Sequence, residues 1–565
     1  MPVHDASSGW LPCALPRFVP AARLGVLSWL VPPGLAGEVL DAARAEAAEA
    51  AGPARRLRLL PPLLGVYFTL ALCLFSHLPY RDAARALPGV PDVASTALTG
   101  LRRRVGPRPL ELLLARVAGA MSPGREPWSH VCGLLAVAWD GTTLKLPASP
   151  ENKAWAGRWK KTAHYPRARL VVLAACGTRC LLGAVPGPSS QGERKLAAGL
   201  LDRLRPGMLL LADRGFYSWD LWNAAAGTRA HLLWRVQGGL HLPAVRELPD
   251  GSYLSRIEDR RAKDNRYRKN GKRRRAGKAP DTSPLPAVAV RVIEFTVTAA
   301  GDDGKARTRR YRLITTLLDP GAAPAGELAA AYARRWAAET ALADLKARLR
   351  GPGRILRSRT PGLAVQEIWA YLVVYQALRA VIARAAASAG LDPARLSFAA
   401  ALNAARASAG LRPADALALA EDSLLAAPVP SRPGRVRPRA VREPGPAYPR
   451  AKDKDPLPHQ ATYTITVAPP ATPVHNQPDQ RQHPRKPGKD ATLTSWRCTR
   501  VCTTIHHGGA FFASCCYQRW MMARERWWVS KHTRGCTRTH HDGVLAASCC
   551  YRGFKRLFCR WPGPR

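Results

Sequence analysis

Acidic residues are scarce in this chain. Its 565 residues include 40 Asp and Glu against 86 Lys and Arg, which gives a formal net charge of +46 and a pI near 10.9. This excess goes beyond what solubility requires and favours a polyanionic partner, nucleic acid first of all. A coding bias explains part of the excess, because Ala, Gly, Pro and Arg are all abundant.

Cysteine is sparse before residue 498, and its positions there give no disulfide framework, which fits a reducing cytoplasm. The amino terminus lacks a secretory pattern, because Asp5 comes early and no long apolar run follows. The most membrane-like stretch, residues 59–78, contains Pro61 and Pro62 and predicts a buried helix instead of a membrane span. The five early cysteines are Cys13, Cys73, Cys132, Cys176 and Cys180.

One predicted helix carries an unusual set of polar groups. Residues 332–346 read YARRWAAETALADLK. At about 100° per residue, one face holds a phenol, a carboxylate and two cations: Tyr332, Arg335, Glu339 and Lys346. This face combines a metal ligand with groups that suit a phosphodiester. Taken alone, an ordinary amphipathic helix with ion pairs explains the segment equally well.

Two aspartates follow short apolar runs typical of buried strands. Asp140 follows residues 134–139 and precedes a turn-like Gly141, and Asp213 follows residues 208–212. Each alone is more often a cap or turn residue. Together with Glu339 they form three carboxylates that repel one another unless divalent cations lie between them, and Mg²⁺ or Mn²⁺ prefers such ligands. The set predicts two-metal phosphodiester cleavage and transfer.

These residues resemble the DDE transposases of bacterial insertion sequences, in particular the insertion sequence 4 group. The signature of that group is Tyr, two residues, Arg, three residues, Glu, six residues, Lys, and residues 332–346 match it without a gap. Residues 140–142 and 212–217 are similar to the segments around the family's two catalytic aspartates. Further similarity lies at residues 356–361, 366–371 and 59–87, so that the resemblance covers roughly residues 20–390.

The resemblance implies that Asp140, Asp213 and Glu339 are catalytic and hold two Mg²⁺ (or Mn²⁺) ions. They would nick double-stranded DNA at the terminal inverted repeats of an element and transfer the strand into target DNA. It also implies a homodimer in the DNA complex. We expect a cytoplasmic, nucleoid-associated protein that does not bind a membrane. Phosphate contacts are expected from Tyr332, Arg335 and Lys346. Thr142, Arg214 and Tyr217 are further candidates, either for contacts with DNA or for supporting the catalytic residues.

The pattern of elements predicts an α/β chain with a ribonuclease H-like core. Residues 1–120 read as a small helical domain, a candidate for recognising the element's ends. Residues 130–390 open with three strands, a helix and a fourth strand, as a ribonuclease H-like catalytic domain does. A β-rich insertion interrupts this domain at about 237–310. A helical extension follows at 391–429, and composition predicts a disordered tail at 430–565.

Strand-like runs at 231–236, 287–298 and 310–316 suggest the insertion, and a dense basic run at 260–275 lies inside it. Like charges at this density resist packing, so the run predicts a mobile loop that tracks phosphates, with a solvated run of no fixed role as the alternative. Its DNA-binding candidates are Arg266, Arg268, Lys269, Arg273 and Arg274, and Tyr267 or Trp234 could stack on a base.

The tail contains a duplication. The pentapeptide ASCCY occurs at 513–517 and again at 547–551, and eight of the thirteen cysteines lie in this region. The spacing matches no common zinc finger and supports no buried face. We interpret the tail as sequence translated from outside the original reading frame or element end.

Three functions remain open at this stage. The chain is an active transposase, a metal-dependent nuclease of the same fold that cuts without joining, or a decayed transposase that keeps only DNA binding. The intact carboxylates count against the third.

Overall fold

The computed structural model describes most of the chain before residue 430. The described residues are 23–48, 60–88, 90, 92–119, 121, 124, 126–157, 165–300, 306–430 and 463–467. They all lie in one compact unit, residues 1–478. The predicted disordered tail lies outside them except for residue 430 and one short strand, and the ASCCY duplication lies wholly outside.

The described residues before 120 are helical. The third helix begins at Pro62, where a proline is tolerated because the first helical N–H has no partner within the helix. From Leu64 to Leu74 every residue is buried, which confirms the buried helix predicted for this stretch. The helices are α1 (Val26–Leu30), α2 (Pro33–Ala48), α3 (Pro62–Leu74), α4 (Tyr80–Arg85), α5 (Ser95–Val105) and α6 (Arg108–Val117).

One mixed sheet occupies the middle of the chain. Its strands are β1 (His130–Val131), β2 (Leu134–Lys145), β3 (Arg167–Ala175), β4 (Leu181–Pro188), β5 (Met208–Ala212), β6 (His231–Arg235), β7 (Arg246–Glu247), β8 (Tyr253–Glu258), β9 (Ala287–Ala300), β10 (Ala306–Thr315) and β11 (Tyr463–Val467). In the described residues the order is β4-β3-β2-β5-β6-β10-β9-β8-β7, with β1 beside β2 and β11 beside β9. Strands β2, β3 and β4 are antiparallel neighbours, whereas β2, β5 and β6 are parallel.

Both faces of the central strands are covered. Along β2, Ala136 and Ala138 belong to one hydrophobic cluster, while Val137 and Trp139 belong to another. Alternate residues of a strand point to opposite faces, so the two clusters lie on opposite sides of the sheet. This explains why the central strands read as continuous apolar runs.

The strands of the predicted β-rich insertion extend the same sheet as the core. Strand β6 precedes the insertion and lies parallel to β5, and β10 pairs antiparallel with β6, so that β9 and β8 join the sheet through β10. Leu232, Leu233 and Trp234 of β6 are fully buried, as expected for an interior strand and not for an edge.

The helices between and after the strands are short, except for the 16-residue helix at Arg260–Arg275. They are α7 (Pro150–Ala156), α8 (Glu193–Ala198), α9 (Trp219–Gly227), α10 (Arg260–Arg275), α11 (Ala325–Ala331) and α12 (Trp336–Ala343). A 3₁₀ turn at Tyr332–Arg335 precedes α12, and a π-helical segment at Asp344–Leu349 follows it. The predicted signature helix is therefore three kinds of helix in succession.

The basic run at 260–275 forms α10, so the prediction of a mobile loop was wrong. Arg, Lys and Ala are good helix formers, and Asp259 caps the helix by accepting a hydrogen bond from the backbone N–H of Arg261 at 2.8 Å. The chain that follows the helix also folds back along one of its faces, as described below.

Three further helices complete the described fold: α13 (Pro361–Ser388), α14 (Phe398–Ala407) and α15 (Pro413–Leu425). Among the described residues, α13 alone is long and apolar enough to cross a membrane, but 94% of its most apolar window is buried inside the protein. It packs against α1, α3, α6, α14 and α15. The helices before residue 120 and those after 390 therefore share one core around α13.

Candidate active site

The two predicted aspartates lie level with each other on adjacent strands. Strand β2 is parallel to β5, and Ala138 lies opposite Leu211. Two residues further along each chain come Asp140 and Asp213, so the register of this strand pair brings the two carboxylates to the same end of the sheet. This is the end at which parallel strands of α/β sheets commonly carry functional groups.

The sequence suggested that the strand ends at Asp140, but it does not. Strand β2 continues to Lys145 and stays paired with β3 throughout. The β-branched Thr142 and Thr143 favour this extension. On the side of β2 that faces β5, however, the pairing ends at Ala138. The edge of β2 at Asp140 is therefore not paired with β5.

The third carboxylate, Glu339, comes to Asp140 on α12, which packs against β2 and β3. Burial raises the pKa of Asp140 to about 7, and the negative charges of Glu339 and Glu193 add to the rise. The Gly141 N–H and Arg335 oppose it. A bound cation would oppose the part of this shift that the neighbouring carboxylates cause.

Arg335 interacts with both Glu339 and Asp213. Its guanidinium is 8% exposed and pairs with Glu339 Oε1 at 2.7 Å. Burial alone would lower the pKa of Arg335, but the charges of Tyr332, Glu339 and Asp213 outweigh burial and raise it. One buried cation therefore offsets part of the repulsion between Glu339 and Asp213.

The carboxylates fit a hard cation in kind, although they do not converge tightly. In the described part of the chain, no three His, Cys, Asp or Glu side chains lie close enough to hold a metal ion. Asp213 Oδ1 is buried and has no hydrogen-bond donor among the described residues. The pair with Arg335 uses one of the two oxygens of Glu339. Carboxylate oxygens of this kind are the donors that Mg²⁺ and Mn²⁺ prefer.

The remaining signature residues have different environments. Lys346 Nζ donates to Thr142 Oγ1 at 2.9 Å, which places its ammonium two residues from Asp140 along β2. Tyr332 is 5% exposed, and its hydroxyl donates to the backbone oxygen of Ala212 at 3.3 Å. The phosphate contact expected from Tyr332 is therefore not available in this structure, where the side chain packs α12 against β5.

The weaker candidates divide in the same way. Arg214 is exposed next to Asp213, and Tyr217 is partly buried nearby. Trp234 is fully buried against Trp139 and Trp222, so the prediction that it stacks on a base was wrong. On α10, Arg268, Lys269 and Arg274 are exposed and Arg266 and Arg273 are partly buried. Tyr267 is 72% exposed.

Two residues near the carboxylates were missed from the sequence. Arg235 follows Trp234, which lies opposite Ala212, and its guanidinium is 3.7 Å from Asp213 Oδ1. Glu193 lies against Gly141, where an added Cβ would come within 2.7 Å of the Glu193 Cδ, and it pairs with Arg169 at 3.1 Å. The end of an apolar strand pattern signals Arg235, but no local pattern signals Glu193.

Two family models match the chain. Residues 132–376 match "Transposase DDE domain", and residues 21–115 match "Insertion element 4 transposase N-terminal". The chain is 27% identical over 354 residues to the transposase InsG for insertion sequence element IS4 of Escherichia coli, covering 61% of this chain and 75% of that protein.

A second relative from Escherichia coli, the putative transposase InsZ, is 35% identical over 157 residues, covering 25% of this chain and 52% of that protein. Among solved structures, a piggyBac transposase synaptic complex with hairpin DNA aligns with a TM-score of 0.34 at 8% identity. That alignment covers 70% of this chain and 80% of the piggyBac chain.

Proposed function

The chain belongs to the DDE transposases of the insertion sequence 4 family, enzymes that cleave DNA and transfer strands, and on this premise we propose that Asp140, Asp213 and Glu339 form its catalytic centre. The observation that carries the proposal is the β2–β5 register, which aligns the two aspartates. The position of Glu339 beside Asp140 supports it. The strand order β4-β3-β2-β5-β6, with three antiparallel strands followed by two parallel ones, supports a ribonuclease H-like core.

The reaction has two phosphoryl-transfer steps at one site. In the first, a water oxygen bonds to phosphorus at the element's end, the P–O3′ bond breaks, and a 3′ hydroxyl is released. In the second, this hydroxyl attacks a phosphorus of target DNA, the P–O3′ bond of the target breaks, and a target 3′ hydroxyl leaves as the element's strand is joined. Mg²⁺ or Mn²⁺ bound by the three carboxylates would supply activation of the attacking oxygen and charge neutralisation at the leaving oxygen.

The side chains around the carboxylates orient the DNA. Lys346 projects beside Asp140, where its ammonium can hold a nonbridging phosphate oxygen as a point charge. Arg335 is 6% exposed and acts through its charge: it pairs with Glu339 and interacts electrostatically with Asp213. The hydrogen bond from Tyr332 to Ala212 holds the start of α12 against the end of β5. Exposed Arg214 extends the positive surface next to Asp213.

The substrate is double-stranded DNA, namely the terminal inverted repeats of the element and a target duplex. We place the enzyme with chromosomal DNA in the bacterial cytoplasm, and a homodimer would bring two element ends together. The net charge of +46 supports the DNA partner.

The test uses the full chain and an end-labelled duplex that carries the element's terminus. Asp213→Asn and Asp140→Asn should each abolish nicking and joining while DNA binding persists, and chelation of divalent ions should do the same to the unsubstituted enzyme. Asp202→Asn is the control, because Asp202 is an exposed aspartate in the turn before β5.

The outcomes separate the three functions. Nicking without joining would identify a nuclease, and binding without cleavage in the unsubstituted chain would identify a decayed transposase. Activity that survives Asp213→Asn would refute the assigned centre. A parallel chain that ends at residue 430 tests whether the tail is inhibitory, since activity would then appear only in the shorter form.

A further inference from the structure

Helix α10 has two faces with different partners. At about 100° per residue, Arg266, Lys269, Asn270 and Arg273 lie on one side of the helix, which we call the loop face. Arg261, Arg268, Lys272 and Arg275 lie on the other side, which we call the cationic stripe.

The loop face is committed to the chain that returns from the helix. Lys269 Nζ pairs with Asp281 Oδ2 at 3.0 Å, and Asn270 both donates to the Asp281 carbonyl at 3.1 Å and accepts from its N–H at 2.7 Å. Arg266 donates to the Ser283 carbonyl and Arg273 to the Ala279 carbonyl, both at 2.5 Å. These side chains hold the return segment and with it the helix.

The cationic stripe has almost no protein partner. All four of its side chains are exposed. Arg261 makes a solvent-exposed pair with Asp220 at 3.1 Å. Within the described part of the chain, Arg268, Lys272 and Arg275 make no side-chain hydrogen bond and no ion pair.

In the protein without DNA, repulsion within the cationic stripe lowers the stability of α10. Lys272 lies four residues after Arg268 and three before Arg275, which are the spacings at which helical side chains are neighbours. Like charges at these spacings destabilise a helix. The loop face offsets its charges with carboxylate and carbonyl acceptors, whereas Arg268, Lys272 and Arg275 of the stripe have no such acceptor among the described residues. A polyanion would remove this repulsion.

The stripe begins beside helix α9. Its first member, Arg261, pairs with Asp220 in the first turn of α9, and α9 follows the segment that carries Asp213. The 16-residue helix extends for about 24 Å. A duplex with its scissile phosphate at the carboxylates could therefore run along the helix.

We propose that Arg268, Lys272 and Arg275 contact the phosphate backbone of the element-end duplex, while Arg266, Lys269 and Arg273 serve only to hold the return segment. The inference rests on the proposed function and makes it more specific. It assigns opposite roles to residues of one basic run that sequence alone had grouped together.

The experiment compares two triple variants that remove the same charge from the same helix. One is Arg268→Gln, Lys272→Gln, Arg275→Gln and the other is Arg266→Gln, Lys269→Gln, Arg273→Gln. Binding of the full chain to the element-end duplex is measured by fluorescence anisotropy over a series of salt concentrations. Each phosphate contact contributes about 0.9 to the slope of log K against log salt, so the stripe variant should lose about 2.7 of slope.

The loop-face variant should keep its slope to within about 1 and should instead lower the melting temperature. The stripe variant should melt at or above the temperature of the unsubstituted protein. Equal loss of slope in the two variants would overturn the proposal, because it would show a general charge effect. An unchanged slope in the stripe variant would also overturn it.

Two readouts keep this test separate from that of the proposed function. If the unsubstituted chain nicks DNA but the stripe variant keeps its salt dependence, only the role of the stripe is refuted. Absence of DNA binding by the unsubstituted chain refutes the proposed function itself. Equal stripe dependence with single-stranded RNA of the same length would refute the assignment to duplex DNA.

Discussion

Individual arginines in this chain have unlike roles despite a similar sequence context. In the basic cluster at 102–104, Arg102 is 1% exposed. Its guanidinium donates to Gln366 Oε1 at 3.0 Å, to Ser358 Oγ at 3.1 Å and to the Leu363 carbonyl at 3.2 Å. Its neighbour Arg103 is exposed. A basic cluster in the sequence therefore does not by itself mark a surface for nucleic acid.

Replacing Arg102 should destabilise the fold strongly. Arg102→Met leaves buried acceptors on α13 and its preceding loop without a donor, and such a loss costs about 3 kcal/mol. Arg103→Met is the matched control and should change the free energy of unfolding by less than about 0.5 kcal/mol. Urea unfolding of both variants measures the difference. Equal values would contradict the role assigned to Arg102.

Glu294 gives the fold a pH dependence. It is 1% exposed on β9 and pairs with Arg310 and Arg312 on β10. Burial would raise the pKa of Glu294, but the two arginines outweigh burial and hold it below its usual value near 4.5. A carboxyl with a lowered folded-state pKa contributes stability above its unfolded value, and this contribution is lost as pH falls through the folded value.

Glu294→Gln should therefore cost about 2 kcal/mol of unfolding free energy at pH 7, and the cost should shrink below pH 4. Chemical unfolding of the variant and the unsubstituted protein at pH 7 and pH 3.5 tests this. Glu247→Gln on β7 is a control, because Glu247 is an exposed carboxylate of the same sheet. A cost that stays constant across this range would argue against the lowered pKa.

At the scale of elements, the segment after α12 decides where Lys346 lies. The π-helical residues Asp344–Leu349 change the helical phase relative to α12. Asp344 is buried and pairs with Arg379 of α13, which is also buried, and with the more exposed Arg348 at 2.6 Å. A buried ion pair thus fixes the segment that carries Lys346 to Thr142.

Breaking the pair between Asp344 and Arg379 should reduce activity, because the segment that it holds carries Lys346. Arg379→Met leaves a buried carboxylate with one partner and should cost about 3 kcal/mol, with a fall in the nicking rate that persists at temperatures where the variant is folded. Arg348→Met removes the exposed partner of the same carboxylate and should cost less than about 1 kcal/mol. Single-turnover nicking rates at matched folded fractions provide the measurement. Equal rates in the two variants would contradict it.

Local patterns predicted most elements, and partners distant in sequence explain the failures. The apolar runs of β3, β5 and β6 were found because a strand buried on both faces contains few polar residues. The helix α10 was missed because like-charge repulsion was weighed without the acceptors on Asp281 and Ser283, which lie beyond the run itself. The three carboxylates were found from a signature and from strand ends, whereas Glu193 reaches Gly141 only through the fold.

At the scale of the whole molecule, β11 joins a late segment of the chain to the sheet. Residues Tyr463–Val467 pair antiparallel with β9 from Phe295 to Ala299. The sequence had assigned this region to a disordered tail. Strand β11 covers a part of β9 that lies beyond the end of β8, where backbone groups would otherwise be unpaired.

Truncation on either side of β11 should have different effects. A chain that ends at residue 430 should show faster amide exchange at residues 295–299 and a greater tendency to aggregate, because an unpaired edge recruits other strands. A chain that ends at residue 478 should keep both properties close to those of the full chain. Hydrogen exchange with mass spectrometry distinguishes them, and equal protection in the two chains would show that β11 does not cover this edge.

The shared core around α13 restricts how such a protein can evolve. Helices α1, α3 and α6 pack on α13 from one end of the sequence and α15 from the other, and Arg102 is buried against Gln366 of α13. An amino-terminal region with its own core could be exchanged between related elements by recombination. Here an exchange would leave the interior of α13 mismatched, so we expect the amino-terminal helices and the catalytic domain to be inherited as one unit.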